Sequence, residues 1–451
     1  MEDVKKTVLF ERTPIPKAVM TLAIPTIISS LVMVIYNLAD TYFVGMLNDS
    51  IQNAAVTLAA PVLLAFNAVN NLFGVGSSSM MSRALGRKDY DTVSRSSAFG
   101  FYCALIAGIL FGAGYSLGKT PLLHLLGADS GTVGATGAYL MWTVSCGAVP
   151  AILNVVLAYQ VRAEGASLHA SLGTMSGCLL NIVLDPFFIL PWGLNMGAAG
   201  AGCATFLSNC VACLYFFVVL LVKRGRTYVC INPRKFSFRR DIVAGVFGVG
   251  IPASIQNLLN VTGMTILNNF TAAYGAEAVA AMGIAQRVNM VPMYIAQGFS
   301  QGIMPLVGYN YASGNGKRMK SAIYFSFAVT AGFMAAATLL YFAGADFWIS
   351  LFMKNDAIIA CGGRLLRGLC LAMTFLAVDF LAVGVFQATG MGKKSLVFAI
   401  MRKIVLEIPA LFLLNWLYPL YGLSYAQFVA EFLLAIAAVI ELRKIVKKVT
   451  L

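Results

Sequence analysis

The sequence predicts an all-α integral membrane protein of twelve transmembrane helices, arranged as two parallel six-helix repeats. Three observations predict it. Of the 451 residues, 59% are hydrophobic and only 11% are charged, against about 25% charged in a soluble domain. Apolar runs of about 20 residues, the length a helix needs to cross a bilayer, recur almost end to end. Two of them, Ser97 to Leu117 and Ser321 to Ala345, carry no charge at all. Finally, the basic residues alternate between connecting segments in the way membrane topology requires.

The expected helices of the first half cover residues 17–46, 53–80, 97–117, 134–158, 170–191 and 197–222. Those of the second half cover 242–270, 277–308, 321–343, 361–388, 396–417 and 424–441. Spans longer than the bilayer minimum are accommodated by tilt or kinks. With the N-terminus placed inside, the inner segments hold 25 Lys and Arg and the outer loops only Lys119 and Lys354. Five more, Arg287, Arg364, Arg367, Arg402 and Lys403, fall inside predicted helices. That asymmetry supports an even number of spans with both termini cytoplasmic. The net charge of +14 is thereby explained as topology, and no nucleic-acid partner is expected.

The longest polar stretch, 223–241, divides the chain into an N-terminal six-helix lobe (1–222) and a C-terminal one (242–451), joined by a basic cytoplasmic linker. The halves match weakly but at nearly constant offset. Ile24-Pro25 recurs as Ile251-Pro252, Ala84-Leu85-Gly86 as Ala312-Ser313-Gly314, Asp129 as Asp356 and Gly165 as Gly390. Six spans return the chain to its starting side, so these are parallel repeats, and substrates commonly bind between such halves.

Nine cysteines are scattered, mostly in apolar runs; Cys210 and Cys213 read as packing, since no second ligand pair accompanies them. The N-terminus is short and charged, and no removable signal peptide is expected. The Gly74 to Ser79 stretch lacks a preceding strand and a following Gly-Lys, so it reads as close helix packing and not as a phosphate loop. Prolines such as Pro25, Pro186, Pro252 and Pro409 punctuate the spans and can serve as hinges.

Ionised side chains are costly inside a membrane, by at least about 2.5–3.5 kcal/mol, so intramembrane acids are the first candidates for function. Asp40 lies in the first span and Asp185 in the fifth, both in the outer half. Tyr36 and Asp40 share a helix face, as do Asn181 and Asp185, each pair being four residues apart. Pro186 frees the carbonyl of Ile182. Carboxylates, an amide and freed carbonyls are hard ligands, suited to sodium or to exchanging a proton. Asp379 lies past the middle of the tenth span. Glu407 has Arg402 and Lys403 nearby, so a local ion pair is expected there; Glu431 lies in the last span.

These residues carry a resemblance to the multidrug and toxic compound extrusion (MATE) family, of the bacterial multidrug-efflux type, over nearly the whole chain. Its most specific segments are Asp40 to Gly45, Gly74 to Asp89, Asn181 to Pro186 and Gly197 to Thr205. The resemblance implies two lobes forming a V-shaped cavity and export of organic cations against an inward proton or sodium gradient. It implies a cation-coupling site at Asp40, Asn181, Asp185 and Thr205, the set that would hold Na+, with Tyr36 and Tyr139 close by. Asn37, Asn154, Gln256, Asn260 and Asp379 are further candidates for substrate contact. Some family members carry a Glu on the seventh helix, where this chain has Gln256, Asn257 and Asn260.

The expected protein is thus a secondary active transporter of the cell membrane and not an enzyme. It is expected to use no cofactor beyond the coupling ion, H+ or Na+. Its partners are small lipophilic cationic drugs and membrane lipids, and a monomer is expected. The alternative is a lipid-linked precursor flippase of the same superfamily, which would present basic residues to a pyrophosphate. A membrane-embedded enzyme is disfavoured: His124 and His169 are the only histidines, both near loop ends, with no nucleophile constellation.

Overall fold

The computed structural model describes residues 2–450, and no strand occurs among them. Twelve long helical segments follow one another. Those of the first half are Ile15–Gly45, Ser50–Gly86, Tyr90–Leu117, the bent pair Val133–Cys146 and Ala148–Ala163, Ser167–Ile189 and Ala198–Val222. The second half holds Arg240–Ala272, Ala276–Ala312, Gly316–Ala343, the bent pair Asp356–Cys370 and Met373–Ala388, the run 392–417 and Gly422–Thr450. Eight of the twelve are long and apolar enough to cross a membrane singly, and the two bent pairs make ten. The eighth and eleventh carry too many polar and charged residues to stand out on hydropathy alone: Glu277 and Arg287 in one, five charges from Lys393 to Glu407 in the other. Three short helices were not anticipated, Glu2–Glu11, Lys119–Leu125 and Ala345–Ser350. The last two follow the third and ninth spans and so repeat between the halves.

Local chemistry sets the boundaries. The Asp89 carboxylate accepts from the Thr92 N–H at 3.1 Å to cap the third span, and the Asn315 side chain accepts from the Arg318 N–H at 3.1 Å to cap the ninth. A capping side chain satisfies one of the donors that a helix start leaves orphaned. The turns before these caps need a left-handed residue, supplied by Lys88 (φ 59°) in one half and Gly314 (φ 75°) in the other. The structural equivalent of Gly314 is therefore Lys88, two residues beyond the glycine that the sequence comparison pairs with it. Gly165 and Gly390, at φ 87° and 80°, end the fourth and tenth spans alike.

The chain divides into two compact units. One comprises Met1–Leu9 and Ile28–Ser254, the other Phe10–Ile27 and Ile255–Leu451. Within the first, the polar stretch 227–238 is an ordered strap. The Cys230 N–H donates to Ser97 Oγ at 2.9 Å, Tyr102 Oη donates to the Ile231 carbonyl at 2.7 Å, and the Tyr228 N–H donates to Glu164 Oε2 at 2.7 Å. Phe236 stacks on Phe99, which joins Met80, Ile242 and Val246 in a buried cluster. Within the second unit, Phe10 stacks on Tyr309 and Arg318 donates to the Phe10 and Thr13 carbonyls. A larger apolar core there gathers residues such as Met282, Leu365, Met373 and Leu411. Between helices surrounded by lipid, such packing stabilises mainly through van der Waals contact and small residues, since hydrocarbon is as apolar as the core.

Three segments widen into π-helix: Asn71–Val75, Met141–Cys146 and Met401–Glu407. Such bulges often accompany functional positions. The second lies at the 51° bend of the fourth span.

Candidate functional site

The site is built inside the first unit by the first, fourth, fifth and sixth spans. The fifth helix presents Asn181 and Asp185 one turn apart on its buried face, 2% and 0% exposed. Beyond Asp185, Pro186 contributes no backbone donor, which leaves the Ile182 carbonyl free of its helical bond. The Asn181 amide has one orientation that satisfies both ends, since the reverse would aim its oxygen at a carboxylate. In that orientation Nδ2 donates to Asp185 Oδ2 at 2.8 Å, while Oδ1 accepts from the Thr205 N–H at 3.1 Å and its hydroxyl at 3.2 Å.

Thr205 comes this close because the sixth helix packs tightly on the fifth, where a Cβ added at Gly177 would lie 3.2 Å from the Ser208 carbonyl oxygen, and the sixth helix also packs on the fourth. A Cβ added at Gly202 would lie 2.9 Å from the Tyr139 carbonyl oxygen and 3.2 Å from Trp142 Cβ. The start of the same helix is tied down by Gln52 Oε1, which accepts from the Ala198 N–H at 2.8 Å. From the first helix, the Tyr36 hydroxyl comes within hydrogen-bonding reach of Thr205. The Asp40 and Asp185 carboxyls are electrostatic neighbours, and both act on the buried Tyr139 hydroxyl. Asp40, Tyr36, Tyr139, Asn181, Asp185 and Thr205 therefore meet in one place. Two carboxyls, one amide oxygen and two kinds of hydroxyl, with no basic side chain among them, form an oxygen-rich, acidic cluster. Such a set suits a proton or a hard monovalent cation.

The other candidates lie apart from this cluster. Asn37 is exposed, and its carbonyl accepts from the Thr41 hydroxyl at 2.9 Å. Asn154 is buried and donates to the Pro150 carbonyl at 2.7 Å and to Asn209 Oδ1 at 3.0 Å. In the second unit, Gln256 Oε1 accepts from Gln387 at 3.1 Å, and Asn260 is partly buried. Asp379 is buried beside Glu431. Glu407 does form the expected local pair, through Lys403 at 2.6 Å, whereas Arg402 turns away to Glu431 at 2.7 Å. Asn209, Gln387 and the Arg402–Glu431 pair were not singled out by sequence reasoning. The charges were visible, but their pairing across helices has no local signal. All nine cysteines are free.

Twelve helices in repeating halves, with a desolvated oxygen cluster in one of them, define the class: a multi-pass membrane transporter. The MatE family matches residues 25–187 and again 252–413, once in each half, and the chain belongs to that family. The Multidrug export protein MepA of Staphylococcus saprophyticus is 33% identical over 432 residues, covering 96% of this chain and 94% of that protein. MepA of Staphylococcus aureus is 32% identical over the same shares of the two chains. A solved outward-facing multidrug resistance MATE family transporter of the MOP superfamily superposes with a TM-score of 0.92 at 27% identity, over 99% of each chain. A crystal structure of MATE in complex with MaL6 gives 0.91 at 27% identity and the same coverage. The protein is a transporter and not an enzyme.

Proposed function

We propose that the protein is a secondary active multidrug exporter of the cell membrane, with both termini cytoplasmic, that antiports lipophilic organic cations against an inward proton or sodium gradient by alternating access. The observation that carries this reading is the single cluster of Asp40, Asn181, Asp185 and Thr205, two acids with neutral oxygen donors and no countercharge. Relatives named for multidrug export, matched along nearly the whole chain, support it. The same names weigh against the flippase alternative.

A proton or sodium ion arriving from outside neutralises charge at Asp40 and Asp185. Coupling follows if ion and drug bind the two access states differentially; the membrane potential adds about 2.3 kcal/mol per charge per 100 mV. The six-helix lobes 1–222 and 242–451, joined by the basic segment 223–241, are the bodies that rock in this scheme. The test is efflux of a fluorescent lipophilic cation from proteoliposomes under a proton gradient alone and then a sodium gradient alone. Transport driven by one gradient and lost in Asp40→Asn supports the exporter and names its ion. Undiminished export in both Asp40→Asn and Asp185→Asn would overturn it.

A further inference from the structure

The strap 227–238 of the first unit lies at one particular height. Its backbone and rings are bound beside Ser97, Phe99 and Tyr102 of the third span, where the charge-free run Ser97 to Leu117 begins. A spanning helix loses its charges where it enters hydrocarbon. The strap therefore sits at the level of the membrane–water interface and not out in the aqueous phase.

At the end of the strap, five basic side chains meet two carboxylates. Asp91 takes Arg95 at 2.6 Å, Lys235 at 2.8 Å and Arg239 at 3.6 Å, while Asp241 takes Arg239 at 2.8 Å. Arg234 and Arg240 stand next in sequence to Lys235 and Arg239. Both are exposed, and among the described residues neither has a carboxylate partner. The next acid, Asp89, is committed to the Thr92 N–H as a helix cap. Between these cations Phe238 is 73% exposed, although its ring lies 5.0 Å from that of Phe236 and 6.0 Å from that of Phe99. Tyr90, 48% exposed and stacked on Tyr228 at 5.3 Å, adds a second aromatic surface where the strap meets the start of the third span. Topology accounts for the sign of these charges. It does not account for an ordered backbone that fixes two unpaired arginines on either side of an exposed ring, since a disordered linker would satisfy the same rule.

We propose that this face of the strap binds the headgroup of an anionic phospholipid in the leaflet on the basic side, with Arg234 and Arg240 donating to its phosphate and Phe238 reaching toward the acyl region. A guanidinium presents its donors in a planar fork that matches phosphate oxygens in pairs. An aromatic ring beside such cations is the composition found where proteins meet headgroups. The hydrogen bonds to Ser97, Tyr102 and Glu164 hold the strap in place beforehand, so little order is lost on binding. Arg234 belongs to the strap and Arg240 to the first turn of the seventh span. A lipid held by both ties the strap to that helix. The proposal does not rest on the exporter reading.

The test titrates the full-length protein in neutral detergent with phosphatidylglycerol or with phosphatidylcholine and counts retained lipid by native mass spectrometry. Expected is tighter retention of phosphatidylglycerol. In the double variant Arg234→Gln, Arg240→Gln that affinity falls about thirtyfold, since each surface arginine is worth roughly fivefold against an anionic lipid, and retention of phosphatidylcholine is unchanged. Phe238→Ser weakens both lipids alike. A control double variant in the C-terminal tail, Arg443→Gln with Lys448→Gln, removes the same charge and leaves retention as in wild type. Hydrogen exchange in nanodiscs gives a second reading. Residues 227–238 exchange more slowly with phosphatidylglycerol than with phosphatidylcholine, and the strap variant loses that difference. Equal retention of the two lipids by wild type, or an equal loss in the tail control, overturns the proposal. Displacement by excess inorganic phosphate also overturns it and marks a free-phosphate site instead. Neither readout involves transport, so failure of drug export is scored separately.

Discussion

The two units keep acids inside the membrane in opposite ways. In the first, Asp40 and Asp185 sit among an amide and hydroxyls, with no basic side chain in the cluster. In the second, Glu431 and Glu407 are each bound to a cation from one π-helical turn. An acid without a cation is a place where a mobile charge can enter and leave. An acid locked to arginine is first a structural element, because separating the pair strands a buried charge. The difference teaches that acid content alone does not locate coupling in this fold; the partner supplied by the neighbouring helices does.

The sharpest way to break the comparison is to remove one cation. Arg402→Ala leaves Glu431 buried beside Asp379 with no countercharge, and losing one partner of a buried pair costs about 3–5 kcal/mol. We expect a large drop in thermal stability in detergent, while Arg402→Met with Glu431→Gln recovers most of it. Asp185→Asn, by contrast, strands no cation and should fold with near wild-type stability while losing export. If Asp185→Asn destabilised as strongly as Arg402→Ala, the distinction between the units would fail.

Gly202→Val comes next. Its side chain meets the Tyr139 carbonyl and Trp142, so the sixth helix must move away; overpacking of this kind costs about 1–3 kcal/mol. Export should fall with it, since Thr205 moves with the helix, whereas Gly202→Ala should fall between wild type and valine. Thr205→Ala is milder. It removes one hydroxyl bonded to Asn181, about 1 kcal/mol, and should weaken ion activation of export by about fivefold with little change in melting temperature.

The smallest effects compare the two repeats. Asp89→Ala and Asn315→Ala each remove a helix cap, about 1 kcal/mol. Only Asp89 titrates. Donation from Thr92 holds its carboxyl below the ordinary range. Its stabilisation is therefore complete above the unfolded carboxylate value, about 3.9, and is lost as pH falls through the lower folded value. Melting of Asp89→Ala relative to wild type should converge at acid pH, while the Asn315→Ala difference should stay constant.

Much of this was legible in the residues. Helix-length stretches gave the twelve segments, ten of them apolar enough to cross at the length a bilayer imposes, and the offset matches exposed the repeat. Asp40, Asn181 and Asp185 were visible since acids inside apolar runs are rare and because Asn181 and Asp185 share a face by simple helical spacing, whereas Thr205 entered only through the family resemblance. What stayed hidden involved backbone departures and partners distant in sequence. The π-helical turns have no compositional signature. The polar segment 223–241 read as a basic cytoplasmic linker, and nothing in its composition showed that Phe236 and its backbone bind the third span through Ser97, Phe99 and Tyr102.

The sequence by itself determined the class, the number of crossings and which side chains are too costly to bury without purpose, for these follow from local composition and from the fixed thickness of the membrane. Only the tertiary structure decided which acid meets which partner. Asn181 reaches Thr205 because Gly177 and Gly200 let the fifth and sixth helices touch, and Arg402 pairs with Glu431 rather than Glu407 across a π-helical turn. Such choices depend on helix approach and rotation, and those are set by the packing of many distant residues at once.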